Sequence, residues 1–330
     1  MLRAVPGFIV SAAFIYLVIR HVSLSAVEDS FARADSRWIL AALTLVLLGF
    51  ILRGVRWWLM VRALAAPDDV RFRACLGPFF VSYGANNVLP LRAGDALRVV
   101  GFRGSLRCSP SRLLGTLVVE RVLDLLVLLL LGYAASLTVT RLDLPQAYLS
   151  SLRLLVLAAV AGAAFILVAP VPAIALIDLV DRKTPLSASR FGARITAAIR
   201  EVLTAINHVC ARHLLPFLLA LSVIAWLAEG MGFVCVAYAL ASGAVPTTGF
   251  LVYVMSNLTQ TLPAAPGNFG LFEYFALQGL VHLSGMTPSV AAGVAVLAHL
   301  VIWIPVTVIG SAYLLLNPAL RLTAVAKAGP

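Results

Sequence analysis

Charge is the scarcest feature of this chain. Only 12% of its 330 residues are charged, against about a quarter in a soluble domain, while 62% are hydrophobic and mean hydropathy is +1.00. That balance excludes an ordinary soluble domain and predicts one integral membrane bundle rather than two or three soluble units. Acidic residues are scarcer than basic ones, 14 against 25, for a net charge of +11. Nucleic acid is not the partner this implies. The basic residues gather in short segments between apolar runs, as the positive-inside bias demands. Cysteine is scarce as well: Cys75, Cys108, Cys210 and Cys235 lie scattered without CxxC spacing, so neither a disulfide framework nor a zinc site is expected. His208 and His213, in a basic loop, read as a solvated pair. Neither a Walker loop nor a GxGxxG is present, so ATP-driven pumping would require a partner chain. No metal and no cofactor is expected.

What the chain has in abundance is apolar runs. Those long enough to cross a membrane cover about residues 6–22, 38–61, 113–139, 154–177, 214–240 and 291–316. The first follows Arg3 and reads as an uncleaved helix in preference to a signal peptide. Two further stretches are apolar but broken: NNVLPLRAGD at 86–95, preceded by 72–89, and LVYVMSNLTQTLPAAPGNFGLFEYF at 251–275. Both contain proline and glycine, and both are rich in Asn, Gln, Ser or Thr.

The two broken stretches share one offset. A shift of 173 residues carries Leu89 and Pro90 onto Leu262 and Pro263, Gly94 onto Gly267, and Asp95 onto Asn268. The same shift carries 38–61 onto 211–234 and 113–139 onto 286–312. The predicted fold is therefore an all-α polytopic membrane protein with two repeats, each holding a broken, re-entrant helical hairpin. It has about six full crossings plus two hairpins. The segments are 1–37 (first helix and loop), 38–140 (repeat 1), 141–210 (joining helix and cytoplasmic loop), 211–316 (repeat 2) and 317–330 (a short cytoplasmic tail). If each hairpin leaves by the side it entered, parity inverts the second repeat, an arrangement typical of transporters.

The Arg and Lys distribution gives an orientation. With the N-terminus in the cytoplasm, 18 fall in inside segments, among them Arg53, Arg56 and Arg98, and 5 outside, with Arg92 and Arg121 left at membrane depth. Both termini are then cytoplasmic, in a cytoplasmic (inner) membrane.

Irregular backbone at membrane depth must be buried in protein or line a wet cavity. Pro90 breaks the first hairpin and Gly94 permits its turn; Pro263, Pro266, Gly267 and Gly270 do the same in the second. Asp95 and Asn268 are expected to cap the short helices that follow. Asn86, Asn87, Thr259 and Gln260 either satisfy broken backbone or face a cavity. Arg92 brings a fork of donors suited to phosphate, or else pairs with Asp95. In VVERVLDLLVLL, Arg121 and Asp124 are spaced to neutralise one another, which leaves Glu120 free or paired with Arg92. Glu229, at the repeat position of Arg56, is a candidate loop-end cap, and Glu273 a carboxylate lining the second tip that carries a proton.

NNVLPLRAGDALR, ERVLD and LPAAPGNFGLFE together resemble the motifs of the lysylphosphatidylglycerol synthase transmembrane-region family, the flippase-like proteins. The match spans nearly the whole chain and rests on Asn86, Pro90, Arg92, Gly94, Glu120, Arg121, Asp124, Pro263, Pro266, Gly267, Gly270 and Glu273. Asp95 stands where the family has glutamate, and Asn268 where it has glycine. The resemblance implies a lipid translocase for a phosphate-bearing lipid: an aminoacylated phospholipid, a polyprenyl-phosphate-linked sugar or a hopanoid-type lipid. Neither a transferase domain after the last run nor enzymatic activity is expected. The expected substrate-binding set is Asn86, Asn87, Arg92, Asp95, Glu120, Arg121, Asp124, Thr259, Gln260, Asn268 and Glu273. The expected partners are the membrane lipid and proteins of lipid biosynthesis. A membrane-embedded lipid-modifying enzyme and a non-transporting lipid-binding subunit are the alternatives.

Overall fold

A computed structural model describes residues 5–20, 31–64, 70–102, 106, 108–139, 146–183, 189–210, 213–241, 243, 245–261 and 265–317. No strand occurs among them. Helix α1 (Val5–Ile19) is followed by α2 (Ser36–Leu64) and α3 (Phe72–Val88). A 3-10 turn at Pro90–Arg92, the short α4 (Ala93–Ala96) and a π turn at Leu97–Gly101 lead to α5 (Pro110–Thr138). Then come α6 (Gln146–Val168), α7 (Pro170–Lys183), α8 (Arg190–Val209), α9 (Leu215–Leu240) and α10 (Pro246–Leu258). Two more 3-10 turns, Thr259–Thr261 and Pro266–Asn268, precede α11 (Leu271–Ser284) and α12 (Pro288–Leu316). Helices α5, α7, α10 and α12 all start on a proline, which costs nothing there because the first-turn N–H has no partner anyway.

Three of these helices, α2, α9 and α12, are long and apolar enough to cross a membrane. Helix α5 matches α2 in length, 29 residues, but carries Glu120, Arg121 and Asp124 in its middle. Helix α1 has 15 residues. The expected crossing at 154–177 is not a single helix: Arg153–Ile166 and Pro170–Val180 meet at 55°. Pro170 explains the break, because its ring crowds the preceding turn and it offers no N–H to the ladder. Among the described residues, three helices meet the length and composition of a span, or four if the bent pair is one span, against six apolar runs in the sequence.

The centre is the packing of α2 on α9. The two run antiparallel: Trp38 stacks on Tyr238, Gly49 abuts Glu229 and Ala225, and Arg56 reaches Ser222. Around them α3 packs on α12 and α5 on α10. Helix α2 also meets α3 and α12, while α9 meets α10 and α5. The α3–α12 seam is close and antiparallel, with Gly77 against the Tyr313 ring and Gly84 against the backbone at Val306 and Thr307. Trp57, Phe79, Phe233 and Tyr253 fill the interior with at most 1% of their surface exposed. This packing sets the turn at Pro90–Arg92 beside the turn at Pro266–Asn268.

Candidate functional site

At the first tip α3 ends at Val88, and the extended Leu89 places Pro90 at the start of the 3-10 turn. Leu91 and Arg92 both take left-handed backbone, φ 59° and 53°. Such residues cost on the order of 1–3 kcal/mol each and persist only where their surroundings hold them. Gly94 is not the turn residue that the sequence suggests. Its φ is ordinary, but a Cβ there would lie 1.9 Å from the Ser82 carbonyl oxygen, so glycine lets α4 fold back onto α3.

Asp95 is likewise not a cap, because the residue preceding α4 is Arg92. Its Oδ1 accepts from Asn86 Nδ2 at 2.8 Å, while Asn86 Oδ1 accepts the Asp95 N–H at 3.2 Å. Its Oδ2 accepts from Arg121 Nη2 at 2.8 Å. Arg121 thus pairs with Asp95 and not with Asp124, and Arg92 is left without Asp95.

The second tip repeats the stapling contact. Asn268 Nδ2 donates to Thr259 Oγ1 at 2.8 Å, across the same nine-residue separation as Asn86 and Asp95. Gly267, Asn268 and Gly270 have φ of 71°, 61° and 90°. Pro266 begins the turn, whereas Pro263 lies outside the described residues. Glu273, not Asn268, caps α11: its Oε2 accepts the Gly270 N–H at 2.7 Å. Its Oε1 lies 2.5 Å from His299 Nδ1, and His299 Nε2 lies 2.8 Å from the Gly267 carbonyl. The carboxylate expected to be free is therefore paired.

The tips touch one another. Arg92 Nη2 donates to the Gln260 carbonyl at 2.6 Å, and the Gln260 side chain donates to Asn257 Oδ1 at 2.7 Å. Asn87 donates to Thr307 Oγ1 at 2.9 Å, and Trp303 Nε1 donates to the Asn87 carbonyl at 3.4 Å. Asn87 therefore ties α3 to α12.

Behind the tips lies a charge cluster that the sequence only partly disclosed. Arg53 Nε donates to Glu229 Oε1 at 2.7 Å, and Tyr253 OH donates to Glu229 Oε2 at 3.0 Å. Arg56 Nη1 donates to Asp124 Oδ1 at 2.7 Å and to Ser222 Oγ at 2.6 Å, with Trp226 Nε1 also on Asp124 Oδ1 at 3.1 Å. Arg98 Nη2 and Tyr83 OH both donate to Glu120 Oε1, at 3.1 and 3.0 Å. The Arg98 guanidinium is boxed by the rings of Trp57, Phe79 and Tyr83, whose electron-rich faces substitute for water around a buried cation. Glu120 is therefore neither free nor joined to Arg92, and Glu229 is a mid-helix partner rather than a loop-end cap.

Arg53, Arg56 and Arg98 count as inside-loop charges on sequence alone; all three are buried. Gly49, Arg53 and Arg56 fall at i, i+4 and i+7, one helical face, and that spacing was the signal for a buried seam. His299, alone in an apolar run, was the other readable signal, since an ionisable group at membrane depth is a functional candidate by default. Tyr83, Ser222, Trp226 and Tyr253 give no comparable signal.

Each buried arginine of this cluster has a carboxylate. Arg92 is exposed and, among the described residues, contacts no carboxylate within 4 Å. It is a charged fork held at one nitrogen by a backbone carbonyl, at the junction of two strained tips. Among the described residues no group of three or more His, Cys, Asp or Glu is arranged to hold a metal.

The family model described as "Lysylphosphatidylglycerol synthase TM region" matches residues 5–310. A curated relative from Haloferax volcanii, "Glycosyltransferase AglD", is 25% identical over 323 residues, covering 90% of this chain and 51% of the relative. The chain thus spans about half the length of the curated relative it matches. No solved structure matches it.

Proposed function

The chain belongs to the lysylphosphatidylglycerol synthase TM region family, and from that premise we propose that it is a lipid translocase whose tip arginine, Arg92, holds the phosphate of a lipid headgroup. The observation that carries this reading is the pairing pattern. Four arginines near the tips, Arg53, Arg56, Arg98 and Arg121, are matched to carboxylates, whereas Arg92 is exposed and offers its remaining N–H groups. A guanidinium fork suits phosphate because two parallel N–H donors meet two oxygens. The lipid tails stay in the bilayer while the headgroup reaches Arg92 at the junction of the tips. Candidate substrates are an aminoacylated phospholipid, a polyprenyl-phosphate-linked sugar and a hopanoid-type lipid.

Alternating access comes from two inverted repeats. Several pairs of contacts support that reading. Under the 173-residue shift α2 corresponds to α9, α3 to α10 and α5 to α12, and the packing exchanges accordingly: α3 on α12 matches α10 on α5. The stapling contacts exchange too, since Asn86 and Asp95 correspond to Thr259 and Asn268. The antiparallel packing of the equivalent helices α2 and α9 supports opposite orientation of the two halves, with each tip a re-entrant hairpin of its half. With Arg53, Arg56 and Arg98 set aside as buried, the remaining basic residues still favour cytoplasmic termini in a cytoplasmic membrane.

The test is movement of labelled lipids of each class between leaflets of proteoliposomes. Arg92→Ala should lower the rate for the true substrate by at least tenfold while the melting temperature stays within a few degrees. Undiminished movement in that variant overturns the role of Arg92. A second reading, group transfer onto a membrane lipid, draws on the printed name of the Haloferax relative. Turnover of a labelled donor by the purified chain alone would favour it.

A further inference from the structure

We propose that Glu273 and His299 form a proton-binding site that latches the second tip, and that loss of the proton releases the Gly267 carbonyl. The site rests on proton counting at fixed atoms. His299 Nε2 faces a backbone carbonyl oxygen at 2.8 Å, an atom that only accepts, so this nitrogen carries a proton. His299 Nδ1 faces Glu273 Oε1 at 2.5 Å, and that contact needs a proton of its own, on the nitrogen or on the oxygen. The pair therefore holds one proton more than a neutral imidazole beside a carboxylate, and the protonated pair is electrically neutral. The side chains are 7% and 10% exposed, which favours a neutral pair over a bare carboxylate.

Removing that proton to water leaves one N–H for two acceptors. If it stays on Nδ1 it keeps Glu273, and the bare Nε2 then faces the Gly267 oxygen, lone pair against lone pair. If it moves to Nε2, the bare Nδ1 faces a full carboxylate, which is worse. The carbonyl contact is thus the one given up. Glu273 Oε2 still holds the Gly270 N–H, and Asn268 stays on Thr259 in either state, so what the proton adds is the clamp on the Gly267 carbonyl.

The released segment borders the other tip. A Cβ on Gly267 would lie 2.7 Å from Trp303 Nε1 and 3.1 Å from the Asn87 carbonyl, so a shift of Gly267 loosens the seam that also holds Arg92 on Gln260.

Among the described residues, the ionisable groups on the elements packed against α11 and α12 are occupied, distant or exposed, apart from two buried thiols. On α10, Tyr253 donates to Glu229, and Glu229 on α9 holds Arg53 of α2. Arg56 of α2 holds Asp124, and Arg62 lies over Trp58. On α3, Tyr83 donates to Glu120, while Arg73 lies beyond the Gly77–Tyr313 contact, roughly 20 Å along α12 from His299 at 1.5 Å per residue. Arg37 of α2 lies at the helix start beside the Trp38–Tyr238 stack. Cys75 of α3 and Cys235 of α9 are buried free thiols, and Tyr16 of α1 is exposed. On α11 and α12 themselves, Tyr274 packs on Phe14, His282 on Gln278, and Tyr313 on Gly77. The rings packed against His299, both tilted, are Phe269 and Phe272, with centroids at 4.6 and 4.7 Å.

The site deepens the translocase reading and rests on it only for the consequence that proton loss moves lipid. The experiment keeps the two apart. The full chain, labelled with 15N-histidine, is studied by solid-state NMR in phosphatidylethanolamine–phosphatidylglycerol vesicles, and lipid movement is followed in the same vesicles across pH. Of five histidines, His299 is assigned by His299→Gln, or by elimination with Gln variants of the other four. Both ring nitrogens of His299 are expected to report hydrogen in the protonated state, with one losing it in a single transition as pH rises. Glu273→Gln, nearly isosteric, is expected to hold a neutral His299 with one bare nitrogen at the pH where the wild type has both nitrogens protonated. A wild-type His299 with one bare nitrogen throughout overturns the site, whatever the lipid does. A titrating His299 without any lipid movement retains the proton site and removes the translocase. Lipid movement whose pH profile is the same in the wild type and Glu273→Gln overturns the latch.

Discussion

The Asn86 amide donates to Asp95 Oδ1 at 2.8 Å and accepts the Asp95 N–H in return, closing the first tip across nine residues. The pair does in a side chain what the broken backbone cannot do for itself. At 173 positions further on, Asn268 closes the second tip on Thr259 at the same distance. The chemistry of the two staples is not equal. The first holds a carboxylate that Arg121 also grips, whereas the second joins an amide to a hydroxyl.

That inequality predicts different costs. Asn86→Ala leaves a half-buried carboxylate and a backbone N–H short of partners and should destabilise by about 1–3 kcal/mol. Asn268→Gly, chosen because glycine accepts the left-handed backbone at φ 61° without strain, removes one neutral hydrogen bond, worth about 1 kcal/mol. Thermal melts of the purified variants in detergent give the order. A larger loss from Asn268→Gly would mean that the first staple is not what holds its tip.

Gly94 is predicted to be intolerant for a reason of space. Gly94→Ala drives a methyl into the Ser82 carbonyl, and the backbone of α3 or α4 must shift to admit it. A methyl at Gly162 would meet nothing within 4 Å, so Gly162→Ala should be neutral or gain up to about 1 kcal/mol from helix propensity. Folded yield by size-exclusion chromatography compares the two. Equal yields would show that α4 is not pressed against α3.

Both glycines look alike in the sequence, and this marks what sequence can and cannot convey. The helical class and the offset that aligns the broken stretches are legible because hydropathy and proline placement are local properties. The family is legible because its motifs are contiguous. Pairing among charges is not legible. Arg121 has Asp124 within reach on its own helix yet binds Asp95, since α4 folds back and delivers a carboxylate from another element. Arg53 and Glu229 lie 176 residues apart and meet only because α2 and α9 cross antiparallel. The bend between α6 and α7 was hidden for a different reason: apolar composition continues through Pro170, and a hydropathy count ignores the missing N–H.

The Arg53–Glu229 pair should behave as a buried pair does. Glu229→Ala strands Arg53 in the interior and takes an acceptor from Tyr253, with an expected cost of about 3–5 kcal/mol. Replacing both partners, Arg53→Met with Glu229→Met, should recover most of that loss, because the desolvation of two charges disappears together with their attraction. The readout is the melting temperature of the single and double variants. A double variant no better than Glu229→Ala would mean that Arg53 is held by Asp124 and the Trp226 ring, its other neighbours, at 3.7 and 4.0 Å.

Arg92 and Gln260 separate a backbone contact from a side-chain one. Arg92 reaches the Gln260 carbonyl, an atom that survives any substitution of the side chain, and the Gln260 side chain turns away to Asn257. Gln260→Ala should therefore leave lipid retention within about twofold and lower stability by about 1 kcal/mol, the worth of one neutral hydrogen bond. Arg92→Lys is the sharper test. A lysine ammonium is a point charge on a flexible stem, and it cannot offer phosphate two parallel donors while keeping the tip contact. Retention of a phosphate-bearing lipid, followed by native mass spectrometry after gentle extraction, should fall by about tenfold, a loss of about 1.4 kcal/mol. If Arg92→Lys retains lipid fully while Gln260→Ala loses it, recognition lies in the amide side chains of the second tip and not in the guanidinium of the first.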